Sequence, residues 1–283
     1  MAIILITDSS NDLPKTMLQE QDIRVVPLKV YFGDEEYIDQ VTISNQEFYS
    51  KMHNFPVLPR TASPAPHHFM EEFLKTNNDD QIILITVSDK LSSTYEHACL
   101  ARTMFQEERP NQQIEIIDSK TASVGLGNIV LRVAEKRNEG VSFAELVAYA
   151  REQAEKIRTY FVLDTLENVI KGGRLDKIKG RLAEFLSIKL IMFADEGKIE
   201  LHEKVRTSKR AISKLINLIG ELTQDKYQFL VGVAHSNCKE KGEEIKHTIE
   251  ELYQDRKLKV FLTEMGATIG TYAGEGGIVI SFS

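Results

Sequence analysis

The chain reads as an α/β protein of two units, the first built on a mostly parallel sheet and the second on a mixed one. Three observations predict this. Short apolar runs closed by polar turn residues alternate with amphipathic stretches, as strands alternating with helices do. Two of those stretches open with capping boxes, Ser44 with Glu47 and Ser142 with Glu145. In the second half Asp195-Glu196-Gly197-Lys198 separates two short apolar runs as a hairpin turn would, which is an antiparallel feature.

In the first half Ile3 to Ile6, Ile23 to Phe32, Ile82 to Val87 and Ile114 to Ile117 read as strands. The Ser44 box opens a helix over Gln46 to His53, and the Ser142 box opens one running through Ile157. In the second half the strands are Tyr160 to Leu163, Leu190 to Phe193, Phe229 to Ala234, Lys257 to Leu262 and Ile278 to Phe282. Helices at Ser208 to Gln224 and Glu240 to Tyr253 separate three of them. No repeat, low-complexity segment or Pro/Gly linker marks a boundary. We place it near Arg158, giving an N-terminal unit 1–158 and a C-terminal unit 159–283.

The 283 residues are 42% hydrophobic and 27% charged, enough for a sizeable core. A formal net charge of -7 argues against a surface made mainly for nucleic acid, which needs clustered Lys and Arg. Cys99 and Cys238 lack a CxxC partner, so neither a disulfide framework nor a zinc cage is suggested, and two free thiols fit a reducing cytosol. The apolar opening is too short for a signal peptide and no later run approaches a membrane span. An unanchored cytoplasmic protein is the simplest expectation.

In an open α/β sheet, ligands bind beyond the carboxyl ends of the strands. Those ends are rich in hydroxyls here: Thr7-Asp8-Ser9-Ser10, Thr86 to Thr94, and Asp118-Ser119-Lys120, with the turn-forming Thr61-Ala62-Ser63-Pro64-Ala65-Pro66 between them. Neutral O–H and N–H donors around a pocket suit a carboxylate or phosphate. Helix capping is the competing reading of each hydroxyl taken singly. The segment Gly266 to Gly277 holds five glycines in twelve residues and reads as a loop that lets backbone approach a ligand. It is no Walker A loop, and Gly125-Leu126-Gly127 lacks the third glycine of a dinucleotide fingerprint, so ATP or NAD binding is not supported.

Lys171-Gly172-Gly173-Arg174 with Lys177, Lys179 and Arg181 forms a basic cluster suited to a lipid headgroup layer or an acidic partner, or simply to a solvated helix face. The adjacent His67-His68 lack the spacing for shared metal ligation, so no metal site is expected. No Gly-x-Ser-x-Gly elbow, no His-Glu-x-x-His and no marked carboxylate pair is present, so no catalytic residue is assigned.

Several of these segments together resemble the DegV family. They are Thr7 to Pro14, Thr61-Ala62-Ser63-Pro64, Leu91-Ser92-Ser93-Thr94-Tyr95, Asp118-Ser119 with Ser123-x-Gly125-x-Gly127, Lys171-Gly172-Gly173-Arg174, Lys204-Val205-Arg206-Thr207 and the glycine-rich C-terminal segment. Seven motifs in order span one unit over residues 3–281. The resemblance implies a fatty acid in a tunnel between the two α/β units, with no cofactor besides this ligand. Its carboxylate would be bound by Thr61 and Ser92, with Ser93 beside them and Ser63, Thr94 and Tyr272 as the supporting polar network. It also implies a lipid-binding, non-enzymatic role in bacterial phospholipid metabolism: presenting the carboxylate to a separate ATP-dependent fatty-acid kinase subunit that forms the acyl phosphate. Arg174 matches the family's Gly-Gly-Arg turn and is the expected contact for that partner, or transiently for the membrane surface.

Two departures stand out. Ser93 occupies the glycine position of the usual Leu-Ser-Gly-Thr loop, and Tyr272 replaces the histidine of the C-terminal motif, keeping a hydroxyl but losing a group that titrates near neutrality. Two other functions stay open at this point: a small-molecule transferase or hydrolase using the hydroxyl-rich strand ends, and a lipid-responsive regulatory binding protein.

Overall fold

The computed structural model describes residues 2–175, 188–224 and 228–283. The first half runs β1 (Ile3–Asp8), α1 (Lys15–Glu20), β2 (Ile23–Val26), β3 (Lys29–Phe32), β4 (Glu35–Ile38), α2 (Asn45–Asn54), β5 (Arg60–Ala62), α3 (Pro66–Leu74), β6 (Gln81–Thr86), α4 (Thr94–Glu108), β7 (Ile114–Asp118), α5 (Val124–Asn138) and α6 (Phe143–Lys156). The second half continues with β8 (Arg158–Val162), α7 (Glu167–Lys171), β9 (Lys189–Asp195), β10 (Lys198–Val205), α8 (Ser208–Leu222), β11 (Gln228–His235), α9 (Lys239–Leu252), β12 (Lys257–Glu264), α10 (Ala267–Ala273) and β13 (Ile278–Phe282).

Among the described residues the strands form three sheets. The order β2-β1-β6-β7 is parallel throughout. β1 and β6 are buried at nearly every position, because helices cover both faces of a parallel sheet. The order β10-β9-β8-β13-β11-β12 is mixed, with only β11 and β12 parallel. Two α/β units, one parallel and one mixed, are therefore present as expected. Both capping boxes form, with Ser44 and Ser142 each accepting from the backbone N–H of the glutamate three residues on. The Glu196-Gly197 turn closes the antiparallel β9–β10 hairpin, with both residues at positive φ.

Three expectations need correction. Ile23 to Phe32 is two strands in different sheets: Pro27 has no N–H to continue a ladder, and the chain leaves the parallel sheet there. The second of these, β3, pairs antiparallel with β4 across the two-residue turn Gly33-Asp34 and with β5 on its other side. The Thr61-Ala62 start of the expected turn is consequently strand β5, too short to read from its own residues. The glycine-rich segment is not a continuous loop, since α10 occupies Ala267–Ala273.

One core joins the two larger sheets through α5, whose residues Val124 to Leu131 are all buried. Leu5 and Ile83 of the parallel sheet and Met192 and Val279 of the mixed sheet belong to the same apolar cluster. Gly125 makes this close approach possible, since a Cβ there would overlap the hydroxyls of Thr121 and Thr159.

Candidate functional site

A cavity opens where the parallel sheet ends. Ser10, Leu28, Val87 and Thr121 follow β1, β2, β6 and β7 respectively, and all four line it. The topology puts the empty space where open α/β sheets leave a crevice. The opposite wall comes from the mixed sheet. Thr159, Phe161 and Leu163 face it at every second position along and just beyond β8, as the strand period requires. Val279, which pairs with Phe161, lies beside them. The cavity holds about 890 Å³ of empty space counting its mouth, and aliphatic and aromatic side chains make most of its wall. That lining suits a largely apolar ligand.

Part of the wall is polar. Thr61 on β5 and Tyr272 on α10, 211 residues apart, bring their hydroxyls to 2.5 Å. The Tyr272 ring lies against Gly172, where a Cβ would overlap the ring, and under the Arg174 guanidinium at 4.8 Å. Arg174 is half-buried and donates from Nε to Leu91 O at 3.1 Å and from Nη1 to Gly172 O at 2.6 Å. Ser92 also lines the cavity, with its hydroxyl 2.8 Å from that of Thr94. In each hydroxyl pair one proton bridges the two oxygens. The other proton is left for a further acceptor, and Arg174 supplies a positive charge beside them.

Thr61, Ser92, Tyr272 and Arg174 thus meet at the cavity, and Thr94 stands directly behind Ser92. Ser63 and Ser93 form a separate outer group. Their hydroxyls are 2.8 Å apart and Ser93 is exposed. His97 completes that group with Nδ1 3.2 Å from Ser63 Oγ and 2.8 Å from Pro64 O. Reading the sequence missed His97, although its position four residues after Ser93, one turn into α4, was the available signal. Ser93 adopts φ -74 and ψ 8, which any residue takes without strain, so serine at the glycine position costs the backbone nothing. Lys177, Lys179 and Arg181 of the basic cluster lie outside the described residues. Within them, no group of three or more His, Cys, Asp or Glu is placed to hold a metal ion, and no helix is long and apolar enough to cross a membrane.

Behind the cavity lie three buried carboxyl groups that were not singled out. Asp8 accepts from the N–H groups of Ser10 at 2.8 Å and Val87 at 2.7 Å, yet burial pushes its pKa up to about 6. Asp12 accepts from Ser123 Oγ at 2.6 Å and Gly266 N at 2.8 Å, and burial raises it to about 8. Asp39 is raised for the same reason, against its bonds to Thr268 and Ser9. Desolvation outweighs hydrogen bonding at all three.

Fold and cavity together define a class: a two-unit α/β protein with a mainly apolar cavity that carries a cluster of polar side chains in its wall. The family model described as "Uncharacterised protein, DegV family" matches residues 2–283, and the chain belongs to the DegV family. It is 33% identical over 276 residues to the DegV domain-containing protein SACOL1460 of Staphylococcus aureus (strain COL), covering 97% of this chain and 96% of that one. Among solved structures it is similar to a DegV family protein from Ruminococcus gnavus refined with vaccenic acid, at 29% identity and TM-score 0.89, covering 99% of each chain. It is equally similar to DegV of Bacillus subtilis, described as a fatty acid binding protein, at 29% identity and TM-score 0.89 over 100% of this chain and 99% of that one.

Proposed function

We propose that the cavity holds one long-chain fatty acid, tail inward, with its carboxylate at the Thr61, Ser92, Tyr272 and Arg174 end. The observation that carries this reading is the continuity of a mainly apolar chamber with a cluster of uncommitted hydroxyl protons and one guanidinium. Each methylene taken from water contributes roughly 0.8 kcal/mol, so the tail supplies most of the affinity. The head must be paired because a bare buried carboxylate is costly, and each hydrogen bond to it contributes about 1.5–3 kcal/mol. The fatty acid of the R. gnavus protein and the description of the B. subtilis protein support the ligand class.

The chain acts as a carrier that presents the carboxylate to a separate ATP-dependent kinase subunit, which forms the acyl phosphate. Two features support this step. The sequence lacks a phosphate-binding loop of its own. An outer hollow lined by Val57, Arg60 and Lys171 shares Thr61, Arg174 and Tyr272 with the cavity, so the head group lies within reach from outside. Arg174 then serves the head group and the approaching partner together.

Mass spectrometry of organic extracts of the purified protein tests the carrier role, with about one long-chain fatty acid per chain expected. No lipid after gentle purification, together with no rise in melting temperature on adding fatty acid, rejects it. Thr61→Val and Ser92→Ala are each expected to weaken fatty-acid binding by about 1–3 kcal/mol with the fold intact. Acyl phosphate is expected only when a kinase subunit is added. ATP turnover by the highly purified chain alone would rule out the carrier assignment.

A further inference from the structure

Helix α10 is anchored at both ends. At its end Tyr272 meets Thr61, Gly172 and Arg174. At its start Gly266 N donates to Asp12 Oδ1 at 2.8 Å and Ala267 N to Asp39 Oδ1 at 3.0 Å. Thr268 donates to Asp39 Oδ2 twice, from its N–H at 3.3 Å and from its hydroxyl at 2.5 Å. Thr268 and Tyr272 are one helical turn apart, about 6 Å along the axis.

Asp39 follows β4, in the same small sheet that carries Thr61 on β5. Its carboxylate also accepts from Ser9 Oγ at 3.0 Å, and that hydroxyl accepts from Leu28 N at 3.0 Å. Leu28 O in turn accepts from Asp39 N at 3.0 Å. Leu28 leads directly into β3, whose Val30 pairs with Thr61. One carboxylate therefore ties the start of α10 to the sheet bearing Thr61.

Ordinary packing does not call for this. An apolar residue would fill such a site without the desolvation cost of a carboxylate. What it lacks is the ability to accept from several donors on separate elements at once. The neighbouring backbone carries a cost as well: Asp12 and Ser123, bonded at 2.6 Å, both sit at positive φ, 52° and 55°.

We propose that Asp39, assisted by Asp12, is a positioning residue for the head group: it sets Tyr272 on α10 against Thr61 on β5, and so fixes the geometry in which a ligand carboxylate is met. This inference rests on the head-group reading above. It assigns the buried carboxylates a role in ligand discrimination rather than in stability alone.

The test compares two ligands of equal chain length, palmitate and hexadecan-1-ol, which lacks the carboxylate. Calorimetric titration of Asp39→Asn and Thr268→Val is expected to show about a tenfold loss of palmitate affinity, with hexadecan-1-ol changed by less than about twofold. Thr268→Ser keeps the hydroxyl and is expected to retain affinity near that of the unaltered protein. Should Asp39→Asn fail to fold, the Thr268 pair carries the test. Equal losses for both ligands in step with melting temperature, or discrimination unchanged in Thr268→Val, overturn the positioning role and leave the head-group reading standing. Equal affinity of the unaltered protein for acid and alcohol overturns both.

Discussion

The two ends of α10 lie about one helical turn apart and both are polar, but they use their hydrogen bonds differently. At Tyr272 the groups are half-buried, and the hydroxyl pairs keep protons in reserve. At Gly266 to Thr268 the carboxyl groups of Asp12 and Asp39 are buried and take their donors from within the protein. Reserve donors beside a cavity mark a place for a ligand. Internally satisfied acceptors mark a joint. A count of polar residues would not separate the two, whereas the bookkeeping of protons does.

The comparison is tested most severely by pH. Burial raises the Asp12 pKa from 3.8 to about 8, so the folded state holds a proton there that the unfolded state releases above about pH 4. Stability from this group is full below pH 3.8 and is lost as pH rises through about 8. At about 1.4 kcal/mol per pKa unit the effect amounts to several kcal/mol. Urea denaturation from pH 4 to pH 9 is expected to show the unaltered protein losing stability relative to Asp12→Asn as pH rises. Parallel pH profiles would mean that the carboxyl is ionised throughout, held by its neutral O–H and N–H donors.

A smaller effect is expected at the other end of the helix. Gly172→Ala puts a Cβ where the Tyr272 ring lies and forces the ring away from Thr61 and Arg174. Fatty-acid affinity should fall about tenfold, or ~1.4 kcal/mol, while unfolding free energy changes by less than about 1 kcal/mol, because this end is not the joint. A large loss of stability with affinity retained would reverse the two assignments. The smallest effect belongs to Ser93→Gly. Ser93 is exposed, already has an unstrained backbone and points to Ser63, so fatty-acid affinity is expected to stay within about twofold.

Much of the fold was legible because the signals are local. The capping boxes at Ser44 and Ser142, the Glu196-Gly197 turn and the β-branched runs each reveal an element from a few neighbouring residues. Strand β5 was not legible, since three residues between Pro59 and Pro64 carry no periodicity and become a strand only when β3 offers an edge. Through the family resemblance Thr61 and Ser92 were expected at a ligand carboxylate and Tyr272 in its supporting network, whereas Arg174 was expected to meet a partner or the membrane surface rather than to stand over Tyr272. Asp8 and Asp12 were read only as members of the Thr7 to Pro14 motif and Asp39 was passed over, because nothing local distinguishes a carboxyl group that will be buried from one that caps a turn.

By itself, then, the sequence determined the alternation of strands and helices, the absence of a nucleotide-phosphate loop and the family. These depend on residue type, short-range spacing and the order of motifs. Tertiary structure alone decided that Thr61 and Tyr272 share a hydrogen bond across 211 residues, that Arg174 turns inward over a tyrosine ring, and that Asp39 joins a helix to a sheet. The physical reason is that a hydroxyl's spare proton and a carboxylate's burial are properties of the packed surroundings. Those surroundings come from segments far apart in the chain, and their energies are fixed only when the core around α5 brings the two sheets together.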